Sequence, residues 1–588
     1  MQSSHDLFTK PRTSEQFQIC EVYLPGKIGR DEARRKVGRV AGGQLQFRAV
    51  SGSPLIGRST GSLSGNSEKS HSQYAKMLQH EASPTFEDLH VEEDMTGYVE
   101  STFASRYMSH PIPKHHLPST GSPAHVAYQL IRDLLTLDST PRLNLASFVT
   151  TWMEPEAERL MDLTASVNFV DADEYPSCKE IQDRCVAMLA RLFHSPAVGS
   201  HGKGKAVGTS TVGSSEAIML GALSLKKRWQ ARRKARGLDG PGRPNLVMGA
   251  QAHVCWQKFC RYFDVEERYV WAEEGRCSAT AALLEALVDE NTIGVACILG
   301  STFTGEFEDV QAVSEMLERL AEESGGDIDV FVHVDAASGG FVAPFLYPDL
   351  VWDFRLPRVA SINVSGHKYG LVYPGVGWCV WRDAQALSEE LVFYEDYLGS
   401  PETSITLNFS RGAAQIVAQY YQFLRLGRAG YSKIMRNLEH TRQRLARRIK
   451  STGHFEILSP PQGVPLVSFR LLPLSGGRPR GYSERDVADR VRLRGWVIPA
   501  YSLPPKLEHV TVLRITIRED LSAQMADQVA DALCEAIAHL DKVHARAAAE
   551  EEKGAPTSQP GTGPGARHRR GGDASSPAQH VRAAMKPC

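Results

Sequence analysis

Three short runs constrain this chain most: NTIGVACILG (291–300), DVFVHVDAA (329–337) and VASINVSG (359–366). Each is rich in β-branched residues and nearly continuous in apolar character, the pattern of a buried strand. DVQAVSEMLERLAEE, between the first two, carries apolar residues at helical spacing. Strand, helix and strand in this order imply βαβ units and a mostly parallel sheet, hence an α/β fold. Ligands of such sheets bind beyond the carboxyl ends of the strands. The residues at those ends are the first place to look for chemistry.

Ahead of the sheet, SPAHVAYQLIRDLLTLD offers Ser122 as a candidate N-cap and Pro123 at the first helical position. Val126, Leu130, Ile131, Leu134 and Leu135 then supply an apolar stripe at helical spacing. Residues 1–95 include SGSPLIGRSTGSLSGNSEKSHSQ and read as a disordered extension, with FQICEVYLP as the one ambiguous patch. Such a stretch buries too little apolar surface to offset the entropy of ordering it. The tail from residue 546 is low-complexity and reads as disordered too.

A formal net charge of −1 over 588 residues gives no long-range field for nucleic acid or an anionic membrane. No stretch approaches the roughly 20 apolar residues that a bilayer crossing needs. The ten cysteines include no C-x-x-C pair, which suggests neither a zinc site nor a disulfide framework. These features point to a reduced, cytoplasmic, enzyme-sized protein without a metal.

Lys368 follows Ser-Gly-His at the end of the third run, with apolar and aromatic residues after it. A lysine there either extends into solvent or sits in a pocket that lowers its pKa and makes it a nucleophile able to form a Schiff base. Asp335 ends the second run and is followed by small residues. It is either a helix N-cap or a carboxylate paired with a pyridinium nitrogen. In VGTSTVGSSEAIMLGALSLKKRW, Gly213, Ser214 and Ser215 precede a helical pattern with Glu216 in its first turn. Such a turn either caps the helix or cradles a phosphate. A phosphate cup, a carboxylate and a Schiff-base lysine, in that order, together suggest a pyridoxal phosphate site.

These segments resemble glutamate decarboxylase of the bacterial, plant and fungal type, a group II pyridoxal-phosphate decarboxylase. The resemblance is carried by VGTSTVGSSEA, HVDAASGGF, WDFRLPRVASINVSGHKYGL, NFSR and LRLRGWVIPAY, and it spans residues of about 100 to about 545. It implies the aspartate aminotransferase-like fold (fold type I), with a large mostly parallel-sheet domain over 143–438 and a smaller C-terminal α+β domain over 439–545. Residues 96–142 would form an N-terminal helical segment. It also implies conversion of L-glutamate to 4-aminobutyrate and CO₂ through an external aldimine of pyridoxal 5′-phosphate.

The resemblance gives Lys368 the Schiff-base role and His367 the adjacent cofactor contact. Ser214 and Ser215 become the phosphate pair, Asp335 the partner of the ring nitrogen, and Thr302 a lining residue. Ser410 of NFSR would complete the phosphate site of a neighbouring subunit, so the enzyme would be a homo-oligomer, dimer or hexamer, with shared sites. Arg514 would hold the α-carboxylate of the substrate. Ser147, Phe148, Asn168 and Asp171 would receive the distal carboxyl. Lys368 and Tyr397, the latter in YEDYLGSPETS, are the candidate proton donors to Cα.

Two positions depart from the family pattern. Ser147 stands where threonine is common, which keeps the hydroxyl. His253 stands where the glutamate enzymes usually carry glutamine against the ring; histidine at that place is usual in the wider decarboxylase group. The rival readings are a decarboxylase of aspartate, cysteine sulfinate or a related amino acid, and a non-catalytic homologue. The tail lacks the tryptophan of the calmodulin-binding helix in plant members, so calmodulin is not expected as a partner.

Overall fold

The computed structural model describes residues 114–199, 204–238, 240, 242–395 and 402–554. The expected extension over 1–95, Tyr397 and the last part of the tail lie outside them. Three helices lead in: α1 (Ala124–Leu135), α2 (Pro155–Thr164) and α3 (Pro176–Leu192).

α1 begins one residue later than its sequence signals suggest. Pro123 is the N-cap, with extended backbone (ψ 144°), and its carbonyl accepts the first helical N–H bonds from Val126 and Ala127. Ser122 therefore lies outside the helix. A proline ring presets φ but leaves this carbonyl free to start the hydrogen-bond ladder. Of the apolar stripe only Val126 is buried; Ile131, Leu134 and Leu135 are exposed within the single chain.

The main sheet then alternates with helices. In chain order come β1 (Val207–Thr211), α4 (Ser214–Ala235), β2 (Asn245–Gly249), α5 (Val254–Tyr262), β3 (Glu266–Val270), α6 (Ala281–Glu285) and β4 (Thr292–Ile298). They are followed by α7 (Val310–Glu323), β5 (Val332–Asp335), α8 (Ala343–Leu346), β6 (Val359–Ser365) and β7 (Gly377–Trp381). The seven strands pair in the order β1-β7-β6-β5-β4-β2-β3. The five strands from β6 to β3 run parallel, and β7 lies antiparallel to both its neighbours. The three runs that opened the sequence argument are β4, β5 and β6, with α7 between the first two. All three strands are buried along their whole length.

A short antiparallel pair, β8 (Phe393–Glu395) and β9 (Glu402–Ser404), comes next. α9 (Ala414–Ser451) follows, broken at Gly427, whose φ of 56° only glycine adopts readily. The C-terminal part carries β10 (Phe455–Ile457), β11 (Leu466–Leu471), α10 (Glu484–Arg492), β12 (Ala500–Ser502), β13 (Thr511–Thr516) and α11 (Ala523–Gly554). Its strands form an antiparallel sheet ordered β10-β11-β13-β12. This is the α/β architecture with a smaller C-terminal α+β part. One expectation is corrected here: the tail does not lose structure at 546, because α11 continues to Gly554. Residues 545–553 are mainly Ala, Glu, Arg and Lys, strong helix formers that low-complexity composition masks.

Candidate active site

β6 ends at Ser365, and Gly366, His367 and Lys368 turn out beyond its carboxyl end. Lys368 Nζ donates to Ser338 Oγ at 3.1 Å and lies 5.3 Å from the centre of the Phe148 ring. Burial pushes this amine below the ordinary lysine range; Asp335 pulls it partly back, and Arg514 lowers it further. The pocket thus favours the neutral, nucleophilic amine more than water does.

His367 precedes it. Burial, with the neighbouring Lys368 charge, lowers its imidazole pKa to about 4. Its Nδ1 is buried with no hydrogen-bond partner in the protein. A buried unpaired ring nitrogen is costly unless a ligand meets it.

Asp335 closes β5, two strand positions along from His333. Its Oδ2 accepts from Trp256 Nε1 at 2.9 Å, and its Oδ1 from Asn363 Nδ2 at 3.1 Å and the Ala337 N–H at 3.2 Å. The N-cap alternative does not hold, since the Ala337 bond forms only a tight turn and no α-helix starts there. The carboxylate is an acceptor fixed at a strand end by three donors.

The turn from β1 into α4 forms the third element. Ser214 Oγ lies 2.5 Å from Ser365 Oγ, and Ser215 Oγ lies 2.7 Å from Cys255 Sγ. Glu216 ties the turn down: one oxygen accepts from Val212 N at 2.8 Å, the other from Leu407 N and Asn408 N at 2.9 and 3.2 Å. Gly377 makes room for it, because a Cβ there would come within 2.6 Å of the Gly213 carbonyl carbon and 2.9 Å of Ser214 N. A Cβ on Gly213 would lie 3.4 Å from His367 Cε1, so the histidine abuts this cup. The start of a 22-residue helix supplies free N–H groups and a favourable dipole for an anion.

Arg514, on β13, is fully buried. One Nη donates to Thr302 O at 2.7 Å and the other to Ala146 O. Its guanidinium carbon sits 4.9 Å from the Phe148 ring centre and 5.5 Å from that of Tyr501. Thr302, His253 and Tyr501 line a cavity of about 240 Å³ beside it. Ser147 Oγ accepts from Val149 N at 3.1 Å in the same strap that carries Phe148.

The structure thus gathers Lys368, His367, Asp335, Ser214, Ser215, His253, Thr302, Phe148 and Arg514 at the carboxyl-end side of the sheet. It does not bring Asn168, Asp171 and Ser410 to Lys368. Asn168 bridges to Gly412 and accepts from Arg411 N at 3.3 Å, and Asp171 turns back on Asn168. Ser410 is exposed in this same neighbourhood. Among the described residues no hydrogen bond joins these three to the lysine.

Several supporting residues escaped the sequence reading: Ser338, Trp256, Asn363, Ser365, Cys255 and Thr150. A signal for part of them exists. Ser361, Asn363 and Ser365 occur at every second position of a strand whose other residues are Val, Ala, Ile and Val. Polar side chains at period two in a buried strand mark a face that must be satisfied by something.

The residues fit pyridoxal phosphate. The orphaned His367 Nδ1, the cup that Gly377 keeps open and a buried amine each match a different part of it. A cofactor with an aldehyde, a phosphate and a basic ring nitrogen uses all of these groups at once, which places the molecule among the pyridoxal-phosphate enzymes. Comparison with known proteins narrows the class. Residues 118–472 match the pyridoxal-dependent decarboxylase conserved domain, and the chain belongs to that family. It is 51% identical over 448 residues to glutamate decarboxylase of Solanum lycopersicum, covering 76% of this chain and 87% of the relative. It is 43% identical to the glutamate decarboxylase of Lactococcus lactis subsp. lactis, covering 77% of this chain and 95% of that one. Among solved structures, a Lactobacillus brevis glutamate decarboxylase superposes with a TM-score of 0.70 at 41% identity, over 75% of this chain and 98% of that one.

Proposed function

We propose that this chain is a pyridoxal-phosphate-dependent glutamate decarboxylase, which converts L-glutamate to 4-aminobutyrate and CO₂. The observation that carries the proposal is the buried amine of Lys368 at a strand end, beside Asp335 and Arg514. High identity to glutamate decarboxylases across most of their length supports the substrate.

The chain's own residues divide the work. The α4 start, with Ser214 and Ser215, would hold the cofactor phosphate, His367 would contact the ring and Asp335 would face its nitrogen. Bound pyridoxal phosphate supplies an electron sink for the pair left on Cα when CO₂ departs. Arg514, whose buried Nε has no partner in the protein, holds the α-carboxylate, and Phe148 and Ser147 border the same space. One proton must reach Cα in place of CO₂. Lys368 and Tyr397 are the groups we assign to deliver it, since amine and phenol both serve as general acids.

Asn168 and Asp171 are assigned to the region that receives the distal carboxyl. Ser410 is assigned to the phosphate site of a neighbouring subunit, with the active chain a homo-oligomer. The exposed Ile131, Leu134 and Leu135 of α1 support this, since an apolar stripe of that kind calls for cover. We take 143–438 and 439–545 as the two domains of the chain. We place the enzyme in the cytoplasm, which suits the free state of the described cysteines. Among the described residues no helix is long and apolar enough to cross a membrane.

The test is product formation by purified protein with glutamate, aspartate, cysteine sulfinate and an aromatic amino acid, alongside Lys368→Ala. The expected result is 4-aminobutyrate from wild type only. Loss of Lys368 should lower turnover by more than about a thousandfold. Cofactor binding without turnover of glutamate would overturn the substrate assignment.

A further inference from the structure

We propose that His333 is a positioning residue for Asp335, acting through a one-way hydrogen-bond chain from Ser361 to His333 to Asn363 to Asp335 that fixes the carboxylate as an acceptor toward a basic ring nitrogen. The proposal rests on the pyridoxal-phosphate reading above and concerns the layer behind the site.

The register of β5 and β6 sets His333 beside Ser361 and Asp335 beside Asn363. Period two then puts all four side chains on one face of the sheet. His333 Nδ1 lies 2.7 Å from Ser361 Oγ, and its Nε2 lies 2.8 Å from Asn363 Oδ1. Asn363 Nδ2 completes the chain to Asp335 Oδ1 at 3.1 Å. Asp335 is the most exposed of the four at 4%. Water therefore does not compete for these bonds.

The last link fixes the direction of all the others. A carboxylate accepts and does not donate, so Asn363 must turn its NH₂ to Asp335 and its oxygen to His333. That oxygen also only accepts, so His333 carries its proton on Nε2. Its Nδ1 then accepts from the Ser361 hydroxyl. A neutral imidazole suits this, and burial pushes the His333 pKa down accordingly. One tautomer and one amide orientation satisfy every group.

The surroundings have been shaped to keep the imidazole. Gly221 lies in the middle of α4, and a Cβ there would come within 2.3 Å of His333 Nδ1 and 3.1 Å of Ser361 Oγ. Glycine weakens a helix interior relative to alanine, and here it leaves the space the imidazole occupies. On the other side Trp256 sets its ring edge-on to His333, with centroids 5.3 Å apart, while its Nε1–H goes to Asp335. The histidine is clamped and Asp335 is held from both ends. Three donors hold the oxygens of this carboxylate as acceptors. Opposite a ring nitrogen, an oxygen so held calls for a donor, which puts the shared proton on nitrogen rather than on oxygen.

The experiment loads the full-length protein with pyridoxal phosphate labelled with ¹⁵N in the ring. Its NMR shift distinguishes a protonated from an unprotonated nitrogen. Wild type is expected to show the protonated form. His333→Phe keeps the bulk and the Trp256 contact but removes both ring nitrogens. Its signal is expected to move toward the unprotonated form, with kcat lowered about tenfold or more and KM changed less than about threefold. His333→Gln can still donate an amide N–H to Asn363 and is expected to lie nearer wild type. Thermal unfolding of each variant separates folding from this effect. An unmoved ¹⁵N signal in folded His333→Phe overturns the proposal. If that variant does not fold, Ser361→Ala decides, and an unmoved signal there overturns it. Wild type that binds the cofactor with an unprotonated ring also overturns it while leaving the decarboxylase reading intact. Wild type that binds no cofactor overturns both.

Discussion

Thr150 donates its hydroxyl to the carbonyl of Lys368 at 2.9 Å, across 218 residues of sequence. Its own N–H bonds the carbonyl of His367, also at 2.9 Å. The backbone that carries Lys368 is thus clamped by the strap 144–151. That strap is held in turn from β13 and the residues after it. Arg514 donates to Ala146 O, Arg518 to Asn144 O and to Ser147 O, and Thr151 to Asp520. The C-terminal part therefore orients Lys368 through a segment that lies hundreds of residues away in sequence.

Thr150→Val tests this clamp with little change of shape. The Lys368 carbonyl would lose its hydroxyl partner in a part-buried setting, at a cost of about 1–3 kcal/mol. Urea denaturation should show a lower midpoint at unchanged slope, and kcat should fall more than KM rises. An unchanged midpoint would mean that the strap follows the lysine rather than holding it.

The pH dependence of the cofactor-free protein follows from the amine itself. Burial places the folded pKa of Lys368 below its ordinary 10.5. Between the two values the unfolded chain holds a proton that the folded chain has released. Stability contributed by this group therefore rises with pH through that window. Lys368→Met removes the titration. Thermal unfolding of stripped protein from neutral pH up to 10.5 should show the variant more stable than wild type at the low end, with the gap closing as pH rises. A gap that widens with pH would mean that the lysine stays charged in the folded state.

Arg514→Lys separates charge from geometry. The guanidinium spans Thr302 and Ala146 while resting on Phe148 and Tyr501. A lysine keeps the charge but cannot make two anchored bonds and still offer a planar pair to a carboxylate. Each hydrogen bond to a charged group contributes about 1.5–3 kcal/mol, so KM for glutamate should rise by roughly 10- to 100-fold. Steady-state kinetics on folded variant checks this. A normal KM would move the α-carboxylate contact to another residue.

How much of this was legible beforehand depends on the range of each signal. β4, β5, β6 and α7 are local patterns, and Lys368, Asp335 and Ser214 mark the strand ends and helix start that such patterns define. The clamp on Lys368 was not legible, because Thr150 sits in a loop with no period and its partner is set by tertiary packing. Ser338, Trp256 and Cys255 were missed for the same reason. Asn363 and His333 lay in plain view as polar residues alternating within buried strands, but only the β5–β6 register shows that they meet. The start of α1 was misplaced by one residue because Ser122 and Pro123 both carry N-terminal signals and only backbone geometry chooses between them. The helix to Gly554 was hidden by composition that suits a solvated helix as well as a tail.

His253 links Cys255 to the start of α5 in the cofactor site we propose, and its replacement tests a departure from the family pattern. It caps α5, its Nδ1 accepting from Cys255 N at 3.3 Å and lying 2.9 Å from Cys255 Sγ. The same thiol meets Ser215, at the start of α4, at 2.7 Å. His253→Gln retains a polar group that can reach the thiol, whereas His253→Ala removes the cap as well, a loss of about 0.5–2 kcal/mol to the helix start. Cofactor titration followed by absorbance should show Ala weakening pyridoxal phosphate binding about tenfold or more, with Gln within about threefold of wild type. Glutamate turnover should survive in the Gln variant. If instead Ala binds the cofactor as tightly as wild type, the cup is held by Glu216 and Ser365 alone, and His253 matters only for which side chain the cavity beside Thr302 and Tyr501 admits.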